Sequence, residues 1–139
     1  MSAGHVLIAK VGAVTCAIPI AYVVETMRPL PVEPPAHPAA CVRGVAIIRG
    51  VPTPVVDTAR LLGAAAGAPG RYVVVRARDR AVALEVDRVV DVRPLTGVEL
   101  AALPPLVRAA APDAIAAIGS ADRDVVVLLE AARLIPEVA

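Results

Sequence analysis

The stretch CVRGVAIIRGVPTPVVDTARLLG, residues 41–63, predicts two β-strands joined by a tight turn and followed by a short helix. Its first apolar run, 42–48, is rich in β-branched residues, and Gly50 behind it supplies the backbone freedom that a tight turn needs. Asp57 can accept the first N–H groups of a helix TARLL, and Gly63 can take the left-handed conformation that ends one. We therefore expect Gly50, Asp57 and Gly63 to be structural residues of a hairpin and a capped helix.

Similar β-prone runs, separated by turn residues, continue through the rest of the chain. The proline-rich segment 28–38 fits neither a helix nor a central strand, and segment 95–112 is expected to be loop rather than helix. Many short strands at this spacing favour an all-β fold of one or two small barrels. The expected strands are 6–9, 14–18, 22–27, 42–48, 53–56, 72–77, 81–86, 89–92, 114–118 and 125–129.

The length of the chain bounds its domain organisation. A chain of 139 residues can bury a core of its own without disulfides or metals, so we treat residues 1–139 as a single domain. The small-residue connector GAAAGAPG, residues 63–70, is expected to divide this domain into two halves, 6–62 and 71–129. A short terminal helix is expected at 130–135.

The composition argues against several kinds of partner. The net charge is only +1, and two tyrosines are the only aromatic residues, so we expect no binding of nucleic acid. No apolar run reaches the roughly 20 residues that a membrane helix needs, so we expect no membrane insertion. The N-terminus lacks the basic and apolar regions of a secretory signal, which predicts a cytoplasmic protein in which Cys16 and Cys41 are buried free thiols.

The sequence VVDTA around Asp57 permits a catalytic alternative, a homodimeric aspartic protease of the retroviral type that uses one Asp per subunit. That pattern requires a glycine and then a small residue after Asp-Thr, whereas Ala59 and Arg60 follow here. The helix-cap interpretation accounts for more residues, because both ends of the helix are present. The histidines, cysteines and serines show no metal-ligand or nucleophile spacing, so we expect no catalytic residue, no metal and no cofactor.

Two arginines, Arg43 and Arg49, flank the apolar run of the opening stretch. They are an even number of residues apart, so in a strand both side chains would leave the same face. Glu25, on the expected strand 22–27, is the nearest acidic partner in the first half of the chain. Two solvated arginines are the alternative, and the sequence leaves both possibilities open.

Four stretches carry a resemblance to a known family: IPIAYVVET, VRGVAIIRGVPTPVVDTARLLG, VALEVDRVVDV and DVVVLLEAARL. Together they run from about residue 6 to residue 135, and the pattern Gly-Val-x-x-x-Arg-Gly-x-x-x-Pro-Val-Val-Asp at 44–57 is the most specific part. The chain resembles the CheW-like family of bacterial chemotaxis coupling proteins. Ile47 and Ile48 stand where that family commonly has Asn-Leu, and Glu130 replaces a frequent Asp.

The resemblance implies a fold and a role. The fold is two small five-stranded SH3-like β-barrels that share a hydrophobic junction. The role is that of a non-enzymatic adaptor, which joins the cytoplasmic tips of methyl-accepting chemoreceptors to the regulatory domain of a CheA-type histidine kinase. By position, the residues at or beside the receptor-facing surface would be Val23, Glu25, Gly44 and Arg49, with the acid and the arginine paired.

The resemblance also places the kinase-facing edge in the second half, roughly 71–127, with Val86 and Asp87 as candidate contacts. Within the same fold, the alternative to a free-standing protein is a CheW-like domain of a larger chain of the CheA or CheV type. The start at Met1 and an end just past the expected terminal helix favour the free-standing protein.

Overall fold

The computed structural model describes residues 4–34, 41–65, 67, 70–77, 79–94, 99–102, 115–121 and 124–129. Within these ranges the chain is built almost entirely of strands, as expected. One short helix, α1 (Thr58–Leu62), follows the fifth strand, and a 3-10 turn (Ile20–Tyr22) follows the second. The strands are β1 (His5–Val11), β2 (Val14–Pro19), β3 (Val23–Met27), β4 (Val42–Ile48), β5 (Val51–Asp57), β6 (Arg71–Ala77), β7 (Arg80–Val86), β8 (Arg88–Pro94), β9 (Glu99–Ala102), β10 (Ile115–Ala121) and β11 (Asp124–Leu129).

The strands form two sheets. One has six strands in the order β8-β1-β2-β11-β10-β9, and the other has five in the order β3-β6-β7-β5-β4. Neighbouring strands are antiparallel except β2 with β11 and β5 with β7, which are parallel. The expected five strands are therefore found in one sheet, whereas the other has six.

The sheets do not follow the expected halves 6–62 and 71–129. Strands β1 and β2 belong to the first half by sequence, yet they pair with β8 and β11 of the second. Conversely, β6 and β7 complete the sheet that contains β3, β4 and β5. The division at the connector is wrong because hydrogen-bond pairing, not distance along the chain, decides which sheet a strand joins.

Among the residues whose burial is described, an apolar core joins the two sheets, as the resemblance implied. Leu7 and Ile18 of the six-stranded sheet and Val73 and Leu84 of the five-stranded sheet belong to one buried cluster, and none of them is more than 4% exposed. A second cluster, around the buried Tyr72, lies within the five-stranded sheet. Burial of apolar surface on both sides of the junction holds the two sheets together.

The turn and the helix of the opening stretch form as the sequence predicts. Gly50 lies in the β4–β5 turn with φ of 78°. The side chain of Asp57 accepts a hydrogen bond from the backbone N–H of Arg60 at 3.1 Å, and Gly63 follows the last helical residue with φ of 68°. These residues fix where β5 ends and where the connector begins.

The observed elements differ from the expected ones at Tyr22 and at Glu99–Ala102. Tyr22 lies in the 3-10 turn rather than in β3. Strand β9 falls in segment 95–112, which was expected to be loop; this expectation is wrong for Glu99–Ala102, because pairing with β10 outweighs the helix-forming side chains of these residues. The terminal helix expected at 130–135 lies outside the described residues.

Both cysteines are free, and they differ in burial. Cys16 is fully buried in the shared core, whereas Cys41, at the start of β4, is only partly buried, so the expectation of two buried thiols is wrong for Cys41. Burial raises the pKa of Cys16 to about 12, which keeps this thiol protonated at neutral pH. No helix in the described part of the chain has the length and apolar character to span a membrane.

Candidate functional site

Glu25 and Arg49 form a two-pronged ion pair on the five-stranded sheet. Nε of Arg49 donates to Oε2 of Glu25 at 2.7 Å, and Nη2 donates to Oε1 at 3.1 Å. Glu25 lies on β3 and Arg49 in the turn after β4, and these are the two outer strands of the sheet. The ion pair therefore joins opposite edges of one sheet and helps to curl it into a barrel-like form.

This ion pair lies at the surface. The side chain of Arg49 is 78% exposed and that of Glu25 is 23% exposed. The hydrogen bonds from Arg49 hold the pKa of Glu25 below its ordinary value, and the same contact raises the pKa of Arg49. Because water screens an exposed pair, it adds little to stability. Its main effect is to fix the plane and direction of the Arg49 guanidinium.

Exposed apolar side chains lie on both sides of Arg49 in the sequence. Ile47 and Val51 are each 60% exposed, which is unusual for β-branched residues of a sheet. We call Glu25, Ile47, Arg49 and Val51 the docking surface. Next to it is a groove of about 340 Å³, whose lining is mostly apolar and consists of Leu30, Pro31, Glu33, Val45 and Ile47.

One wall of this groove is the segment 30–33, which we call the strap. Glu33 and Val45 exchange two backbone hydrogen bonds, at 2.9 and 2.8 Å, so the strap lies along the outer edge of β4. Gly44 is buried under it: an added Cβ would collide with the carbonyl oxygen of Glu33 and with the side chain of Val32. Gly44 is thus beside the docking surface without being exposed on it.

The other end of the strap is held by Tyr72. Its hydroxyl donates to the carbonyl oxygen of Leu30 at 3.2 Å. Burial raises the pKa of Tyr72, so the hydroxyl remains a donor at neutral pH. Hydrogen bonds at both ends therefore set the width of the groove between the strap and β4.

Arg43 has partners other than the one expected. Its guanidinium contacts Oε1 of Glu85, from Nη2 at 2.7 Å and from Nε at 2.9 Å, and Oδ2 of Asp57 at 3.2 Å. Glu85 is 8% exposed, and its hydrogen bond is the main cause that raises the pKa of Arg43. The expectation that Arg43 and Arg49 leave one strand face is wrong, because Arg49 lies in the turn with φ of 51°.

The sequence contains a signal for the ionic cluster of Arg43, Asp57 and Glu85. Glu85 is the single acidic residue within the apolar run VALEV, and a carboxylate in a buried central strand requires a cation. The partner could not be identified from the sequence, because Arg43 reaches Glu85 from β4, with β5 between their strands. Among the described residues, no cluster of histidine, cysteine and acidic side chains is arranged to hold a metal ion.

The remaining expected contact residues are less accessible. Val23 is half-buried and packs against the shared core. Val86 is 1% exposed, so its side chain has no surface to offer a partner in this fold. Asp87 is half-buried, and its carboxylate accepts a hydrogen bond from the backbone N–H of Gly12 at 2.9 Å.

This chain is similar in fold to a known protein and matches a known family in sequence. The crystal structure of the scaffolding protein TtCheW from Thermoanaerobacter tengcongensis has a similar fold, with a TM-score of 0.79 at 18% sequence identity over 94% of this chain and 85% of that one. No curated protein gave a significant sequence match. Residues 5–139 match the family described as CheW-like domain. Because this match covers nearly the whole sequence, the chain belongs to the CheW-like domain family.

Proposed function

We propose that this chain is a non-enzymatic cytoplasmic adaptor that couples chemoreceptor tips to the regulatory domain of a CheA-type histidine kinase. Membership of the CheW-like family supports this role, and the similar fold of a protein described as a scaffold agrees with it. The observation that carries the proposal is the Glu25–Arg49 pair, which fixes the guanidinium of Arg49 in a turn whose neighbours in sequence, Ile47 and Val51, are exposed.

The docking surface has the properties that a binding site for a receptor tip needs. Ile47, Val51 and the adjacent groove can bury apolar side chains of a partner, which is where binding free energy arises. The charges of Glu25 and Arg49 at the rim set register and exclude wrong partners more than they add affinity. We propose that the kinase regulatory domain binds the six-stranded sheet, where Val90 and Val92 of β8 are exposed.

The protease alternative has no support from the environment of Asp57. One carboxylate oxygen accepts the N–H of Arg60 as a helix cap, and the other contacts Arg43. An Asp of a catalytic dyad must instead share a proton with a second carboxylate across the dimer. The adaptor proposal predicts that the purified protein cleaves no peptide and that Asp57→Asn changes nothing in such an assay.

The adaptor proposal is tested by measuring binding of the purified chain to a receptor-tip fragment and, separately, to the kinase regulatory domain. We expect Glu25→Ala and Arg49→Ala each to weaken receptor binding by about tenfold, the cost of a lost charge-assisted contact. Arg76→Ala is the matched control, because Arg76 is another exposed arginine of the five-stranded sheet.

A double-mutant cycle completes this test. If the two side chains act as one unit, the double variant loses little more affinity than either single variant. Kinase binding should stay unchanged in all of these variants. Independent, additive losses would contradict a paired role, and a wild-type chain that binds neither partner would refute the adaptor proposal.

A further inference from the structure

The two sheets are connected by an apolar core and by hydrogen bonds. The shared cluster consists mainly of valine, alanine, leucine and isoleucine side chains. Burial of such side chains favours contact between the sheets, but the hydrophobic effect has no preferred direction. Hydrogen bonds add directional contacts, which can hold the sheets at one angle.

Asp87 makes directional contacts at the point where the chain passes from one sheet to the other. It lies between β7 of the five-stranded sheet and β8 of the six-stranded sheet. Its backbone N–H donates to the carbonyl oxygen of Lys10 at 2.9 Å, and its Oδ2 accepts the N–H of Gly12 at 2.9 Å. Both hydrogen bonds hold the end of β7 to β1 and the β1–β2 turn.

Glycines of the connector pack against the same residue. An added Cβ at Gly67 would collide with the Asp87 carboxylate, and one at Gly70 would collide with the Asp87 carbonyl oxygen. The N–H of Gly70 also donates to the carbonyl oxygen of Val86 at 3.0 Å. These glycines allow close approach of the backbone to Asp87.

Gly12 is restricted on its other side as well. It has φ of 57°, and an added Cβ would meet the carbonyl oxygen of Ala65 in the connector at 2.5 Å. The β1–β2 turn, the connector and the β7–β8 junction therefore meet at one point. We call Gly12, Gly67, Gly70 and Asp87 the junction clamp.

We propose that Asp87 is a positioning residue, whose carboxylate, held between Gly12 and Gly67, fixes the angle between the two sheets. The docking surface lies on the five-stranded sheet and β8 belongs to the six-stranded sheet. Asp87 therefore sets the geometry with which one adaptor can hold two partners at once. This consequence for binding rests on the proposed function, whereas the effect on sheet orientation does not.

The orientation is measured by residual dipolar couplings of backbone amides, together with hydrogen exchange at the Gly12 amide. In the wild type, the couplings of both sheets should fit one alignment frame. In Asp87→Ala the sheets should require two frames, and the Gly12 amide should exchange at least about tenfold faster, because its charged acceptor is gone.

Three further variants separate orientation from simple loss of stability. Asp87→Asn keeps an acceptor oxygen of the same size and should restore the single frame. Gly67→Ala should behave like Asp87→Ala without any change of charge, because its Cβ displaces the carboxylate. Asp79→Ala, in the exposed β6–β7 turn, is the matched control and should behave like the wild type.

The binding readout is assembly of the three-component complex compared with binding of each partner alone. Asp87→Ala should weaken the ternary complex more than either binary complex. If the wild-type chain binds no partner, the adaptor role is refuted. The residual dipolar couplings then still test whether Asp87 fixes the angle between the sheets. The clamp proposal would be overturned if Asp87→Ala showed one alignment frame and an unchanged exchange rate of the Gly12 amide. If Asp87→Ala fails to fold, the same two observations in Gly67→Ala would overturn it.

Discussion

Arg43 and Arg49 show how two arginines of one short stretch take different roles. Arg49 pairs with Glu25 at the surface, where water screens the contact and either partner can be solvated alone. Arg43 compensates Glu85, which is 8% exposed, and also contacts Asp57. Parallel pairing places Asp57 beside Glu85, so Arg43 neutralises two neighbouring carboxylates. Its contacts are those of a structural residue, whereas for Arg49 we propose a role in binding a partner.

This difference predicts opposite outcomes for stability. Arg43→Ala should lower the free energy of unfolding by roughly 1–2 kcal/mol, a buried-pair effect reduced because the arginine is partly exposed. Arg49→Ala should leave the free energy of unfolding close to that of the wild type. Urea titrations followed by circular dichroism check both. Equal destabilisation by the two substitutions would contradict this assignment of roles.

The strap covers the outer edge of β4 and forms one wall of the groove next to the docking surface. Strand β4 is an outer strand of its sheet, and an uncovered edge invites pairing with another chain. Two hydrogen bonds between Glu33 and Val45 cover this edge, and Gly44 leaves the space for the strap to do so. The proline-rich sequence predicted a loop at this position, but its contact with β4 could not be predicted, because the contact depends on tertiary packing.

Gly44→Ala should push the strap away from β4. The new Cβ collides with backbone atoms of Glu33, which cannot rotate away, so we expect a loss of roughly 1–3 kcal/mol in the free energy of unfolding. The amide of Val45 should lose its protection from hydrogen exchange. Gly4→Ala is the matched control, because its Cβ meets nothing within 4 Å. Retained protection at Val45 would show that the strap tolerates the methyl group.

The two sheets depend on one another because both contribute to one buried core. Leu84 is fully buried in the cluster to which both sheets contribute. Removal of its side chain therefore affects both sheets, unlike a substitution in a domain with a core of its own. The molecule should behave as one cooperative unit.

We expect one unfolding transition for the wild type and one for Leu84→Ala. The substitution should lower the free energy of unfolding by about 2–5 kcal/mol. Circular dichroism and reaction of the buried Cys16 thiol with a disulfide reagent should give the same midpoint. A Cys41→Ala background removes the partly buried second thiol from the signal. Two separate transitions would show that the sheets unfold independently.

The sequence predicted local features better than the pairing of distant strands. The helix cap at Asp57 and its end at Gly63 followed from neighbouring residues, and so did most strands. The sheets did not, because β2 pairs with β11 and β1 pairs with β8 across long separations in sequence. In the candidate site, the pairing of Glu25 with Arg49 came from the family resemblance, whereas Ile47, Val51 and the strap required the folded structure.

The interleaved sheet order also has a consequence for synthesis of the chain. All strands of the five-stranded sheet lie within residues 23–86, so they leave the ribosome as one uninterrupted segment. The six-stranded sheet begins with β1 and β2 but must wait for β8 to β11. The first hairpin is therefore made early; β1 gains its neighbour β8 once residue 94 has been made, whereas β2 gains β11 only after residue 129. During that interval the edge of β2 that later pairs with β11 stays open, and chaperones that bind incompletely folded segments should recognise the nascent chain there.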